Sequence, residues 1–136
     1  MTNHLHELDR LYQIMIQLRD PKTGCPWDVA QDFASIAPYT VEEAYEVADA
    51  IQIGDRIAIR DELGDLLMQV FFHARIAEEE GSFALEDVAK SIADKMVARH
   101  PHVFGDDDRP SIESQNGLWA NHRSCRGELK PFAKSV

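Results

Sequence analysis

Residues 40–72 read TVEEAYEVADAIQIGDRIAIRDELGDLLMQVFF, two acid-bearing segments hinged at one glycine. At 100° per residue, Glu42, Glu43, Glu46 and Asp49 gather on one face of the first segment, and Ala44, Val47, Ala48 and Ile51 take the other. In the second, Asp61, Glu62 and Asp65 lead into the apolar run LLMQVFF. Glu62 and Asp65 share a stripe that continues to Gln69 and Phe72. Glu46 lies eight residues before Gly54 and Glu43 eleven before; Glu62 lies eight after and Asp65 eleven after. At 1.5 Å rise per residue, Glu46 and Glu62 each stand about 12 Å from the turn, and Glu43 and Asp65 about 16 Å. If the helices pack antiparallel, four carboxylates face one another at matched height.

Four such charges in contact need compensation. A like-charged pair at about 4 Å costs on the order of 4 kcal/mol at an effective dielectric of 20. Arg56 and Arg60 are the only basic residues close by in sequence. All-oxygen ligation by Glu43, Glu46, Glu62 and Asp65 suits Mg²⁺, with Mn²⁺ as a substitute, better than zinc. The ordinary reading of acids at i,i+3 is a solvated helix face, and Thr40 with Glu43 also fits a T-x-x-E capping box. Registration of both pairs about one turn, with Glu62 and Asp65 ahead of so apolar a run, favours the metal. Gly64, a helix-interior glycine costing roughly 1 kcal/mol relative to alanine, suggests a close approach to that backbone.

The remaining chain reads as helices joined by a loop and followed by a tail. Leu5, Leu8, Leu11, Tyr12, Met15 and Leu18 predict an amphipathic helix over about 4–19. Pro21, Gly24 and Pro26 stop it and open a loop to about Pro38. The next helix is expected from near Thr40 to Gly54. A third, from Asp55 to about Glu80, is the expected central buried element. A fourth is expected over about 85–99, with Leu85, Val88, Ala89, Ile92 and Met96 inward, closed by Pro101. With no strand alternation and no repeat, the fold class is all-α. The helical pattern weakens from GDDDRP onward, leaving residues 106–136 as a divergent tail on a domain of residues 1–105.

Charge narrows the function. Residues 1–108 carry 9 Lys/Arg against 22 Asp/Glu, and residues 109–136 carry 5 against 2. A body this acidic disfavours nucleic acid polymers and leaves small phosphorylated ligands that arrive with metal. No apolar run approaches the roughly 20 residues of a membrane span. MTNHLHELDR lacks the basic start and apolar block of a secretion signal. Cys25 and Cys125 form no CxxC pair, which fits a reducing cytoplasm and a plain packed thiol at Cys25.

The quoted acids also form the pattern EExxE followed by ExxD, here Glu42-Glu43-Ala-Tyr-Glu46 and Glu62-Leu-Gly-Asp65. With LRDPKTGCPWD, IAPYTVEEAYEV, DELGDLLMQVFFHARIAEEEG and DKMVARHPHVF, in that order, the chain resembles the MazG-type nucleoside triphosphate pyrophosphohydrolases over about residues 5–105. The resemblance implies an all-α, four-helix-bundle-like fold completed by homo-oligomerisation, as a homodimer or homotetramer. It implies hydrolysis of NTPs or dNTPs between the α and β phosphates, to monophosphate and pyrophosphate. By the same likeness Mg²⁺ is held by Glu43, Glu46, Glu62 and Asp65, while Glu42 orients or deprotonates water or holds a further metal. That makes Glu42, Glu43 and Glu46 the catalytic set.

Lys95 and Arg99, i,i+4 on one helix face, match family positions that contact phosphates. His100 and His102 follow as phosphate contacts or as helix caps, and Arg60 joins the substrate-binding set. Trp27 is the candidate base-stacking aromatic, with Phe33 and Tyr39 as lining. Trp119 resembles a tryptophan of the family's last helix that can close over the nucleotide. Full-length relatives carry two such domains and this sequence shows one; after Trp119 the charged W-E-x-x-K pattern is missing. Two competing readings are an enzyme for another pyrophosphate-linked metabolite, such as phosphoribosyl-ATP or dUTP/dCTP, and a non-catalytic nucleotide-sensing or protein-binding module.

Overall fold

A computed structural model describes residues 4–113. Its elements are α1 (His4–Leu18), α2 (Pro26–Val29), α3 (Phe33–Ile53), α4 (Arg56–Glu79), α5 (Leu85–Arg99) and α6 (Pro101–Phe104), with no strand among the described residues. The all-α expectation is borne out. The chain divides into two compact units, Met1–Ala89 and Lys90–Val136.

In the first unit the core is small and local. Met15 of α1, Ile36 of α3, and Phe71, Phe72 and Ile76 of α4 form its buried cluster, with Leu11, Tyr12, Met68 and Leu85 packed against it. Each large side chain withdrawn from water there contributes roughly 1.5–3 kcal/mol. The core therefore grips the C-terminal half of α4, where Gln69, Phe71, Phe72, Ala74, Ile76 and Ala77 are buried. Its N-terminal half stands proud: Leu63 and Leu67 are exposed, as is Asp65. The expectation of a helix buried along its whole length therefore holds for only half of α4.

Helix α3 begins at Phe33, about two turns before the expected start near Thr40. The signal lies in Asp32 and Ser35: the Asp32 side chain accepts from the Ser35 amide at 2.8 Å, and Ser35 Oγ accepts from the Asp32 amide at 2.8 Å. This reciprocal cap replaces the T-x-x-E box read at Thr40 and Glu43. Pro38 is thus inside the helix, not at the end of a loop. The carbonyl it leaves without an amide donor, that of Ala34, belongs to an exposed residue where water can serve. Glu43 consequently sits deep in α3, beyond reach of any first-turn dipole effect.

Gly54 terminates α3 at φ 88°, its amide donating to Ala50 O at 2.9 Å. Asp55 then caps α4, its carboxylate accepting from the Ile57 amide at 3.0 Å. A residue with a Cβ pays about 1–2 kcal/mol in that left-handed turn, which is why the hairpin hinges on glycine.

The loop from Asp20 to Gln31 is built as tightly as a helix. A Cβ on Gly24 would lie 2.3 Å from Leu18 O, so only glycine lets the chain fold back there. Asp20 Oδ1 accepts from the Lys22 and Thr23 amides at 2.8 and 2.9 Å. Those bonds hold the Asp20 carboxyl below its ordinary range. Arg19 ties this loop to α4. Its Nη1 donates to Asp28 O and Gln31 O at 2.6 and 3.1 Å, Nη2 and Nε donate to the Glu79 carboxylate at 2.8 and 3.0 Å, and its Cζ lies 5.4 Å from the centre of the Phe72 ring. The side chain is only 8% exposed.

In α5 the apolar face expected to turn inward is not buried: the helix has no fully buried residue, and Ile92 is half exposed. Only Leu85, at its start, joins the core. Residues 85–99 carry the right helical spacing, but periodicity alone does not name the surface that a stripe packs on.

Arg19→Ala is expected to destabilise the protein by about 3 kcal/mol, since it leaves buried carbonyls and the Glu79 carboxylate without their donors. Urea denaturation should show the midpoint fall with an unchanged slope. Arg19→Lys should recover less than half, because an ammonium cannot span two carbonyls and a carboxylate at once. A loss under about 1 kcal/mol for Arg19→Ala would mean that something else holds the loop.

Candidate metal centre

The two long helices α3 and α4 face each other along a polar seam in the first unit. Contacts pair residues whose numbers run in opposite directions: Glu43 with Glu62 and Asp65, then Thr40 with Gln69 and His73. That order is the signature of an antiparallel hairpin about Gly54, as the acid spacing predicts.

One carboxylate oxygen each from Glu43, Glu62 and Asp65 lies within 4.8 Å of the others. Glu43 and Glu62 are half-buried, and Asp65 and Glu46 are exposed. Glu46 is not in this closest trio, yet its charge acts on both Glu43 and Glu62. Desolvation raises the Glu43 carboxyl above its ordinary value, and the charges of Asp65, Glu46 and Glu42 raise it further. Glu62 is likewise raised, first by desolvation and then by Asp65, Glu46 and Glu43. Among the described residues no lysine or arginine forms an ion pair with these acids. Arg60 is exposed and turns to Asp61 at 3.0 Å. Three hard oxygen donors within one ion's reach, with two of their protons held abnormally tightly, fit a divalent cation.

Gly64 departs from expectation. A Cβ built there would meet nothing within 4 Å, so no part of the described chain approaches that backbone.

Beyond the acids the seam holds side chains the acid pattern does not announce. The Thr40 hydroxyl lies 2.9 Å from Gln69 Oε1 and 2.8 Å from His73 Nε2. Burial depresses the His73 pKa, so its ring is neutral at pH 7. Phe33 stacks on that ring, with centroids 5.8 Å apart and planes 20° apart. Trp27 is half-exposed and meets Tyr39 edge-on at 5.8 Å. Tyr39 precedes Glu43 by one helical turn. Phe33, Tyr39 and Glu43 therefore occupy successive stations on α3, with Trp27 brought against Tyr39 from α2. His73 escaped the sequence reading, although Asp65, Gln69 and His73 form an unbroken i,i+4 ladder.

The second unit carries Lys95, Arg99, His100 and His102. Lys95 is exposed and Arg99 half-buried on α5. His100 donates from Nδ1 to Met96 O at 2.6 Å, and its ring lies 5.4 Å from that of His102. This bond places His100 at the carboxyl end of α5 as a cap. Trp119 and the tail beyond residue 113 lie outside the described residues. Of the described residues, no helix is long and apolar enough to cross a membrane, and Cys25 is a free, half-buried thiol.

Comparison with known proteins gives the same family that the motifs suggest. Residues 31–104 match the MazG nucleotide pyrophosphohydrolase domain, a stretch that spans both acid motifs. The chain is 51% identical over 115 residues to the nucleoside triphosphate pyrophosphohydrolase of Escherichia coli (strain K12), covering 85% of this chain and 44% of that protein. It is 39% identical over 133 residues to the nucleoside triphosphate pyrophosphohydrolase/pyrophosphatase MazG of Thermotoga maritima, covering 94% and 52%. With the nucleoside triphosphate pyrophosphohydrolase of Mycobacterium tuberculosis, identity is 35% over 130 residues, covering 94% and 40%. The chain thus spans about half, or less, of the length of these curated relatives. An antiparallel helix pair that crowds EExxE against ExxD, within a domain match over more than half the sequence, makes this chain a member of the MazG nucleotide pyrophosphohydrolase family.

Proposed function

We propose that this chain hydrolyses nucleoside or deoxynucleoside triphosphates between the α and β phosphates, with Mg²⁺, or Mn²⁺ in its place, held by Glu43, Glu46, Glu62 and Asp65. The observation that carries the reading is the meeting of three carboxylates within 4.8 Å, unneutralised by any described cation of the protein, in a chain of this family. Such a cluster repels a bare triphosphate. Bound there, the ion supplies charge neutralisation and Lewis acidity.

The protein's own groups do the rest. Water adds across the α–β anhydride, the bridging P–O bond breaks, and the monophosphate and pyrophosphate separate. Glu42 is exposed on the same helix, and its charge is felt at Glu43. In this reading Glu42 orients the water and accepts its proton, while Glu43 and Glu46 keep the local field negative enough to hold that proton. Trp27, half-exposed beside Tyr39, offers its face to the base.

The hairpin's turn end leaves Tyr45, Ile53, Ile57 and Leu63 exposed, an apolar surface flanking the acids. We take a second copy of the chain to cover it, which makes the working form a homodimer or homotetramer. Sedimentation at micromolar concentration should then give a multiple of 15.4 kDa; a mass of 15.4 kDa would remove the idea.

The metal is testable without turnover. Because the folded-state pKa values of Glu43 and Glu62 are raised, the stability linked to their protons is fully present below the unfolded value near 4.5. It is lost as pH rises through the folded values. Mg²⁺ competes with those protons and binds only the folded cage. The melting temperature should therefore rise with Mg²⁺ at pH 7.5 and rise less at pH 5. An equal shift at both values would place the ion elsewhere.

For the reaction, Glu46→Gln and Asp65→Asn should each lower Mg²⁺-dependent pyrophosphate release by about 100-fold or more, with helical content unchanged. Wild-type protein that binds nucleotide and releases no pyrophosphate would instead favour a sensing module.

A further inference from the structure

Gln69 is 3% exposed, the one buried polar residue among the described residues, and it stands one turn beyond Asp65 on the acid stripe. Its Oε1 accepts the Thr40 hydroxyl at 2.9 Å. A hydroxyl has one proton to give, and Gln69 Oε1 is a nearer acceptor than Ile36 O at 3.4 Å, so Thr40 in turn accepts from His73, whose Nε2 is 2.8 Å away. The relay runs from His73 Nε2–H to Thr40 Oγ1, and from Thr40 O–H to Gln69 Oε1. It commits the carbonyl end of the Gln69 carboxamide to Thr40 and leaves the amide end uncommitted. That amide nitrogen has no partner among the described residues. It is not sealed either, because among the described residues the only enclosed side-chain nitrogen or oxygen lacking a partner is Arg75 Nε. A donor held in one orientation by two further residues and reached by solvent hydrogen-bonds water, which an acceptor on a bound ligand can replace.

We infer that the Gln69 amide reads the substrate's nucleobase, donating to a ring carbonyl oxygen and so favouring uracil and guanine over adenine, which has none. The inference rests on the proposed function for the position of the phosphates. With the triphosphate at the acids, Gln69 lies one turn, about 6 Å, further along α4, roughly the span of the sugar. Tyr39 lies in the same direction from the acids along α3, and Trp27 of α2 meets it edge-on, so base stacking and base reading converge on that end of the seam. Thr40 and His73 are positioning residues: they touch no substrate and hold the amide in one orientation. Phe33, stacked on the imidazole, holds the ring that begins the relay.

The test is binding of the uncleavable α,β-methylene analogues of UTP, GTP and ATP in the presence of Mg²⁺, by calorimetry. Wild-type protein should bind the uracil and guanine analogues roughly five- to tenfold more tightly than the adenine one, the worth of one neutral hydrogen bond. Gln69→Met, close in size and without the donor, should weaken the first two to parity and leave the adenine analogue unchanged. His73→Phe keeps Gln69 and the stack on Phe33 but removes the proton that orients the amide; it too should shrink the discrimination, and it decides the matter if Gln69→Met does not fold. Equal affinities in the wild type, no binding at all, or an equal loss for all three bases in the variants would overturn the inference. Base discrimination that behaves as expected in a protein releasing no pyrophosphate would sink the hydrolytic reading and leave this one standing.

Discussion

Everything of interest in this chain depends on a repulsion that packing enforces. Glu43, Glu62 and Asp65 would separate if they were free, yet their oxygens lie within 4.8 Å of one another. Two features hold them there. Gly54 turns the chain without strain, and the C-terminal half of α4 is clamped by Met15, Ile36 and its own phenylalanines. The Glu43 and Glu62 carboxyls are raised first by desolvation and then by the charges around them. Burial contributes several kilocalories per mole at the far end of the hairpin, enough to impose a local arrangement that electrostatics alone would reject. A site that stores repulsion in this way is primed for a cation, because the ion removes a penalty as well as adding bonds.

The second constraint is the Arg19 anchor. One guanidinium satisfies two loop carbonyls and a carboxylate while covering the Phe72 ring. It thereby couples the loop that presents Trp27 to the same helix that carries Glu62 and Asp65. Lysine could not do this, since the fork geometry is what reaches three acceptors together. The aromatic station and the acidic station are thus both referenced to α4, the rigid frame that the proposed function requires for base and phosphate alike.

Some of this was legible in advance and some was not. The helices α1 and α4 follow from three- and four-residue apolar spacing, and the Gly54 hairpin from the symmetry of the acids about it. The start of α3 was misread because Pro38 and the proline-rich segment before it read as loop. A two-residue reciprocal cap at Asp32 and Ser35 outweighs one proline placed where its missing amide is cheap. Burial along α4 and α5 was overestimated for another reason: an apolar stripe says that a helix can be covered, not that this chain covers it. His73 goes unremarked, and Thr40 reads only as a cap, because a lone histidine and a lone threonine show no pairing until a partner helix stands opposite.

Sequence by itself determined the all-α class, the hinge and the acid ladder, since these depend on periods of 3.6 residues and on the conformational freedom of one glycine. Only the tertiary structure decided which three acids come within ligand reach, which half of α4 is buried, and that Thr40 meets Gln69 and His73. Those facts depend on how far one helix is rotated and slid against another. That choice is settled by core packing many residues away, and no local spacing encodes it.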